Sequence, residues 1–269
     1  MIRVFIPSRD YYRYITISLL ISLLSSSMIS GASGMRGAIR HCKAVRAIEE
    51  LGGAVEYDYG IYPQRARSRA RCARRLRYND SLETISGVTL SGEQVTDVSL
   101  QYISRMVRLR RLSLVSTGIS DAGLEKVKGL VNLVDLSLDK TRVTDKGLAH
   151  VQGLSRLVGL SLNETRVTNA GMRYLQGLNQ LEALSLKKTQ VSDAGMKHLK
   201  GHTKLLVLNL NGTKVTDVGL DQLKELSGLV FLNVENTSVT EEGVNKLQKT
   251  LPKCYIIYTR RETFRLLSH

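Results

Sequence analysis

The side chains able to do chemistry stand in columns. Asp97, Asp121, Asp145, Asp193 and Asp217 recur in steps of 24 or 48 residues. Paired carboxylates are the equipment of general acid–base catalysis. Here, however, each aspartate follows a Ser or Thr and precedes an apolar stripe, the wording of a helix start, so capping is the expected role. His198 and His202 lie four apart, a spacing that can bring two imidazoles to one metal ion. But His202 occupies a position held by Leu in the corresponding segments, and no third ligand stands near it in the sequence. His150 and His198 share a column at a separation of ~10 Å by strand spacing, too far for one ion. No Gly-rich phosphate loop follows a strand pattern, and no G-x-S-x-G occurs. No catalytic residue, no metal site and no cofactor is expected, and the chain reads as non-enzymatic.

Charge offers a second candidate. The 269 residues carry a formal net charge of +15. The excess is concentrated in RARSRARCARRLR, where Arg65, Arg67, Arg69, Arg71, Arg74, Arg75 and Arg77 fall within one short run. From residue 81 onward there are 25 basic and 18 acidic residues, an excess of only 7. Such a tract can contact the phosphates of nucleic acid or anionic lipid heads. Tyr78 is the one aromatic at its edge, too little for base stacking, so nucleic acid is the less favoured partner. The bland alternative is a solvated insertion. Three cysteines, widely spaced, exclude a dense disulfide framework and a Cys-x-x-Cys zinc knuckle.

The elements that would position these groups repeat. An apolar anchor recurs every 24 residues without a slip: Ile85, Leu109, Leu133, Leu157, Leu181, Leu205 and Leu229. Apolar residues follow three and five positions later, as in Leu133, Leu136 and Leu138, giving L-x-x-L-x-L. The alternation predicts a short strand with one buried face. A nearly fixed threonine follows in a turn (Thr117, Thr141, Thr165, Thr189, Thr213, Thr237), then a Ser/Thr–Asp/Asn/Glu pair. Leu148, Val151 and Leu154 make one stripe of a short helix, and Gly129, Gly153, Gly177 and Gly201 stand where a left-handed residue would end it. A helix of about two turns is not stable alone, so the units must support one another. Strands stack at ~4.8 Å, whereas helix axes want roughly 8–10 Å. The stack must therefore bend, with strands on the concave side.

Seven in-phase copies of L-x-x-L-x-L, with Val143-Thr144-Asp145 and Gly147-Leu148 as their second half, resemble the leucine-rich repeat, in particular its cysteine-containing or GALA-like subclass of bacterial type. The resemblance covers about residues 85–258. It implies an α/β solenoid with parallel strands on the concave face and short helices on the convex face. It also implies a binding scaffold, typically for proteins, and no chemistry. This chain has Thr where the family usually places Asn or Cys in a backbone-bonding ladder, a role a hydroxyl can fill. No F-box precedes the repeats, so a substrate-adaptor role does not carry over.

The flanks suggest the remaining organisation. Residues 1–13 are a basic segment. Residues 14–35 carry no charge and, as a helix, would reach ~33 Å, long enough for a bilayer core. A single-pass membrane anchor is the expectation for them, with a cleaved export signal as the alternative. Residues 36–62 read as a helix–strand cap, 63–80 as an Arg-rich insertion, 81–258 as the repeat domain and 259–269 as a C-terminal tail. On the concave face one outward column runs Arg111, Asp135, Gly159, Ala183, Val207, Phe231; another runs Val115, Asp139, Asn163, Lys187, Asn211, Glu235. Protein binding is expected there, through Arg111, Asp135, Asp139, Asn163, Lys187, Val207, Asn211, Phe231 and Glu235, with Val207 and Phe231 as an apolar anchor. The tail's Phe264, Leu266 and Leu267 are the competing cover for that anchor. The function read from the residues is a non-catalytic, membrane-tethered protein-interaction scaffold. The alternative is an electrostatic binder working through Arg65–Arg77.

Overall fold

The computed structural model describes residues 35–57 and 85–259, with side chains for 43–56 and 85–259. Helix α1 (Met35–Glu50) leads through a left-handed Gly52 into strand β1 (Ala54–Tyr57). Strand β2 (Ile85–Thr89) pairs antiparallel with β1. Then β3 (Arg111–Ser113), β4 (Asp135–Ser137), β5 (Gly159–Ser161), β6 (Ala183–Ser185), β7 (Val207–Asn209), β8 (Phe231–Asn233) and β9 (Tyr255–Ile257) add in parallel. The nine strands form one sheet in chain order. Each parallel pairing is offset by 24 residues, as Leu136↔Leu160 and Leu160↔Leu184 show, so the sequence period is also the register.

The reason is burial. In the repeat beginning at Leu133, the residues Leu133, Leu136, Leu138, Val143, Leu148, Val151 and Leu154 are all buried. Full burial of such a side chain contributes on the order of 1.5–3 kcal/mol. A register shift of one residue would turn the strand leucines outward. Between α1 and the last helix, the helices are shorter than two turns. After a 3-10 helix at Asp97–Gln101 come α2 (Asp121–Val127), α3 (Asp145–Leu148), α4 (Asn169–Met172), α5 (Asp193–Met196), α6 (Asp217–Asp221) and α7 (Glu241–Thr250). Beyond α3 the chain continues in tight turns, with Val151 N donating to Leu148 O and Leu154 N to Val151 O. No helix end needs closing there. Accordingly, of Gly129, Gly153, Gly177 and Gly201 only Gly201 is left-handed, a correction to their expected role as helix terminators.

The left-handed column lies elsewhere, just after each strand: Gly92, Ser116, Lys140, Glu164, Lys188, Gly212 and Asn236, with φ between 54° and 98°. Four of the seven are residues that pay roughly 1–2 kcal/mol for that conformation. What holds them is pairing across repeats. The Lys140 amide donates to Asn163 O at 2.8 Å, and the Glu164 amide to Lys187 O at 2.8 Å. The buried threonine that follows closes the turn from within: Thr141 Oγ1 donates to Leu138 O at 2.6 Å and Thr165 Oγ1 to Leu162 O at 2.6 Å. The threonine ladder thus bonds inside its own repeat.

The expected membrane anchor is corrected. Among the described residues no helix is long and apolar enough to cross a membrane. The one helix that meets the 14–35 stretch, α1, carries Arg36, Arg40, Lys43, Arg46, Glu49 and Glu50 and buries Ala44 and Ile48 in the core. Residues 14–34 lie outside the described residues, as do the arginines of 63–80 and the tail 260–269.

Candidate functional site: the concave sheet face

The aspartate column does not cap its own helices. Asp145 reaches the next repeat: its Oδ1 accepts from Thr168 N at 2.7 Å and its Oδ2 from Thr168 Oγ1 at 2.6 Å. Thr168 Oγ1 in turn accepts from Ala170 N at 3.2 Å and caps α4. Each carboxylate therefore locks the helix cap of its neighbour. The same pair of bonds joins Asp97 to Ser120, Asp121 to Thr144, Asp193 to Thr216 and Asp217 to Thr240. Asn169 does the work with an amide. Its Nδ2 donates to Ser192 Oγ, and Ser192 then makes no side-chain capping bond to α5. The clamp also explains the glycine two residues after Asp121, Asp145, Asn169, Asp193 and Asp217. A β-carbon on Gly147, Gly171, Gly195 or Gly219 would fall within 3.0 Å of the preceding repeat's Asp or Asn Oδ1. These carboxylates are structural cement.

The His198–His202 pair does not form a metal site. His202 is buried in the leucine column, with Nδ1 3.1 Å from Leu199 O and Nε2 3.0 Å from Leu175 O. Both ring nitrogens are engaged by backbone, so the pair with His198 is not a metal site. Burial, with Lys197 and Arg173 adding to it, holds His198 below the ordinary histidine range. Among the described residues no group of three His, Cys, Asp or Glu stands together to hold an ion. Cys254 is a buried free thiol whose pKa is pushed up to about 12 by burial.

The concave candidates divide into two sets. Asp139, Asn163, Asn211 and Glu235 are engaged in bonds between or within repeats. Asp139 accepts from Ser161 Oγ, Asn163 N and Asn163 Nδ2 at 2.6–2.9 Å. Asn163 Oδ1 accepts from Ser185 Oγ and Lys187 N at 2.6 and 2.8 Å. Glu235 accepts from Asn211 Nδ2 and Asn233 Nδ2. The Asn163 Nδ2 amide is likewise held by two acceptors, Asp139 Oδ2 and Ser161 Oγ. The second set is the column Arg111, Asp135, Gly159, Ala183, Val207, Phe231, aligned by strand pairing. These residues line one shallow groove of about 430 Å³ that runs from Glu56 to Phe231. Arg111 Nε donates to Glu56 Oε2 at 2.9 Å. Burial raises the Asp135 carboxyl above its ordinary range, against an opposing pull from Arg111. Lys187 stands outside this groove's lining.

Tyr255 was missing from the expected set. It continues the column on β9, is 39% exposed, and stacks on Phe231 with ring centroids 6.2 Å apart. The signal was present, since Tyr255 lies 24 residues after Phe231. Lys253 stands where the apolar anchor would fall, 24 residues after Leu229, and that hid it.

A solved structure shares this architecture. Internalin C2 of Listeria monocytogenes is 23% identical with a TM-score of 0.53, over 66% of this chain and 82% of that one. The fold is a leucine-rich repeat solenoid. The leucine-rich repeat family model matches residues 201–223, about one repeat. A second internalin of the same organism is 19% identical at TM-score 0.40, covering 65% of this chain and 59% of that one. A leucine-rich repeat protein of Leptospira interrogans is 18% identical at TM-score 0.47, covering 65% and 49%. No curated protein matches the chain. In this solenoid the helices form the convex side and the sheet the concave side.

Proposed function

We propose that the chain is a non-catalytic scaffold that binds a protein partner on its concave sheet face. The observation that carries the reading is the division of polar groups. The residues that could do chemistry, Asp97 through Asp217, are committed to holding repeats together. The groove column varies in size and charge from strand to strand, whereas Asp139, Asn163, Asn211 and Glu235 of the neighbouring varied column are tied up in bonds between or within repeats. The solenoid fold supports it, since an open sheet face offers side chains without breaking any ladder. The Thr-Asp-x-Gly wording favours the cysteine-containing, GALA-like subclass as part of the same proposal, and α1 with β1 serves as the N-terminal cap. A photo-crosslinking residue placed at Ala183 tests the reading. A partner should be trapped from Ala183 and lost when Phe231→Ala is added, while the same probe at convex, exposed Gln152 traps none. Equal trapping from both faces would overturn it.

A further inference from the structure

Resting on that reading, we propose the chemistry of the partner segment: an extended peptide with two recognition points, a cationic side chain over Asp135 and an apolar or aromatic side chain on Val207 and Phe231. One continuous groove joins these poles. At its N-terminal end, among the described residues, Glu56 and Asp135 face a single guanidinium, Arg111, whose Nε and terminal nitrogen both go to the same Glu56 oxygen. Two carboxylates against one cation leave that pole acidic, in a chain whose overall charge is strongly positive. At the other end Phe231 rests against Tyr255 beside Val207. Between the poles the floor is Gly159 and Ala183, low enough for a backbone to lie close. Asp135 leans over Gly159 so closely that a β-carbon there would come within 3.0 Å of its carboxylate. Ser161 and Ser185 donate their hydroxyls to Asp139 and Asn163. Ser161 Oγ also accepts from Asn163 Nδ2, and the acceptor capacity left on the two hydroxyls suits peptide N–H groups.

Strand spacing sets the distance between the poles. From β4 to β7 is three steps, ~14 Å, and from β4 to β8 four steps, ~19 Å. An extended chain covers ~3.3 Å per residue, so about five residues separate the two recognition points. Burial disfavours the ionised form of Asp135 in the empty groove. A ligand cation restores it, which ties the interaction to the ionised carboxylate.

The test uses the full chain and synthetic peptides holding one Phe and one Arg separated by one to eight Ser or Thr residues, titrated by chemical-shift perturbation. Affinity should peak at four to five intervening residues. Replacing the peptide Arg with Gln should weaken binding at least tenfold in the wild type and change it little in Asp135→Asn. Lowering the pH should weaken binding of the Arg peptide to the wild type and leave Asp135→Asn unaffected. Binding through Phe231 that ignores both Arg and spacing would overturn the two-point proposal and leave the concave-face reading standing. No perturbation of groove residues by any peptide would also overturn it, and the Ala183 crosslinks would then judge the broader reading alone.

Discussion

Two carboxylates of the same repeat, Asp145 at a helix start and Asp135 on a strand, have opposite duties. Asp145 belongs to a column written alike in nearly every repeat, and each member grips the next repeat by the same two bonds. Asp135 belongs to a column that changes at every step, from Arg111 through Gly159 to Phe231 and Tyr255. Both are polar, and in a list of candidate sites they look equivalent. The difference teaches that in a solenoid repetition marks cohesion. A group that every copy needs is a group each copy uses on its neighbour.

The sharpest way to break this contrast is through the glycine that the clamp requires. Gly171 sits inside α4, where alanine would ordinarily stabilise a helix by about 1 kcal/mol. Here the Asp145 carboxylate occupies the place of the β-carbon, with Leu148 Cδ1 beside it at 3.1 Å. Gly171→Ala should cost about 3 kcal/mol by overpacking, measured by denaturant unfolding. In an Asp145→Ala background the same substitution should cost at least about 1 kcal/mol less, because the two share a contact. Equal costs in both backgrounds would deny that the carboxylate dictates the glycine.

A smaller effect probes the strained turn column. Lys140 has φ 55° and no need of its side chain to hold the turn. Lys140→Gly should therefore stabilise the chain by about 1 kcal/mol, and Lys140→Val should destabilise it. Thermal melts of the two variants check this. A stabilising valine would contradict the left-handed assignment.

The smallest effect is a pH dependence. Burial holds the Asp135 carboxyl above its ordinary value of 3.8 in the folded chain. The folded state then keeps the proton that the unfolded state has already lost, so stability falls as pH rises from 3.8 through the folded value and levels off above it. Asp135→Asn lacks this titration. The gap between its melting temperature and that of the wild type should open over that window and stay constant at higher pH.

The period of 24, the strand positions and the buried stripe were legible in the sequence because each is a spacing of apolar side chains. The carboxylate clamp was not, since its partner lies 23 residues away and only the stacked geometry brings Asp145 to Thr168. The turn column was masked by its residue types. Gly92, Gly212 and Asn236 hint at a left-handed position, but Ser116, Lys140, Glu164 and Lys188 do not. Sequence alone likewise grouped Asp139, Asn163, Asn211 and Glu235 with the binding residues, because a polar residue facing outward looks available until its bonds are traced.

The most direct measurement compares the two carboxylates in one chain by thermal unfolding at neutral pH. Asp145→Ala removes two bonds to a charged acceptor, worth about 3 kcal/mol together at the lower end of the range for such bonds, and should lower the midpoint by roughly 5–10 °C. Asp135→Ala should leave the midpoint unchanged or raise it slightly. A comparable loss from both, or none from Asp145→Ala, would contradict the division between a repeated face that builds the solenoid and a varied face that is left to bind.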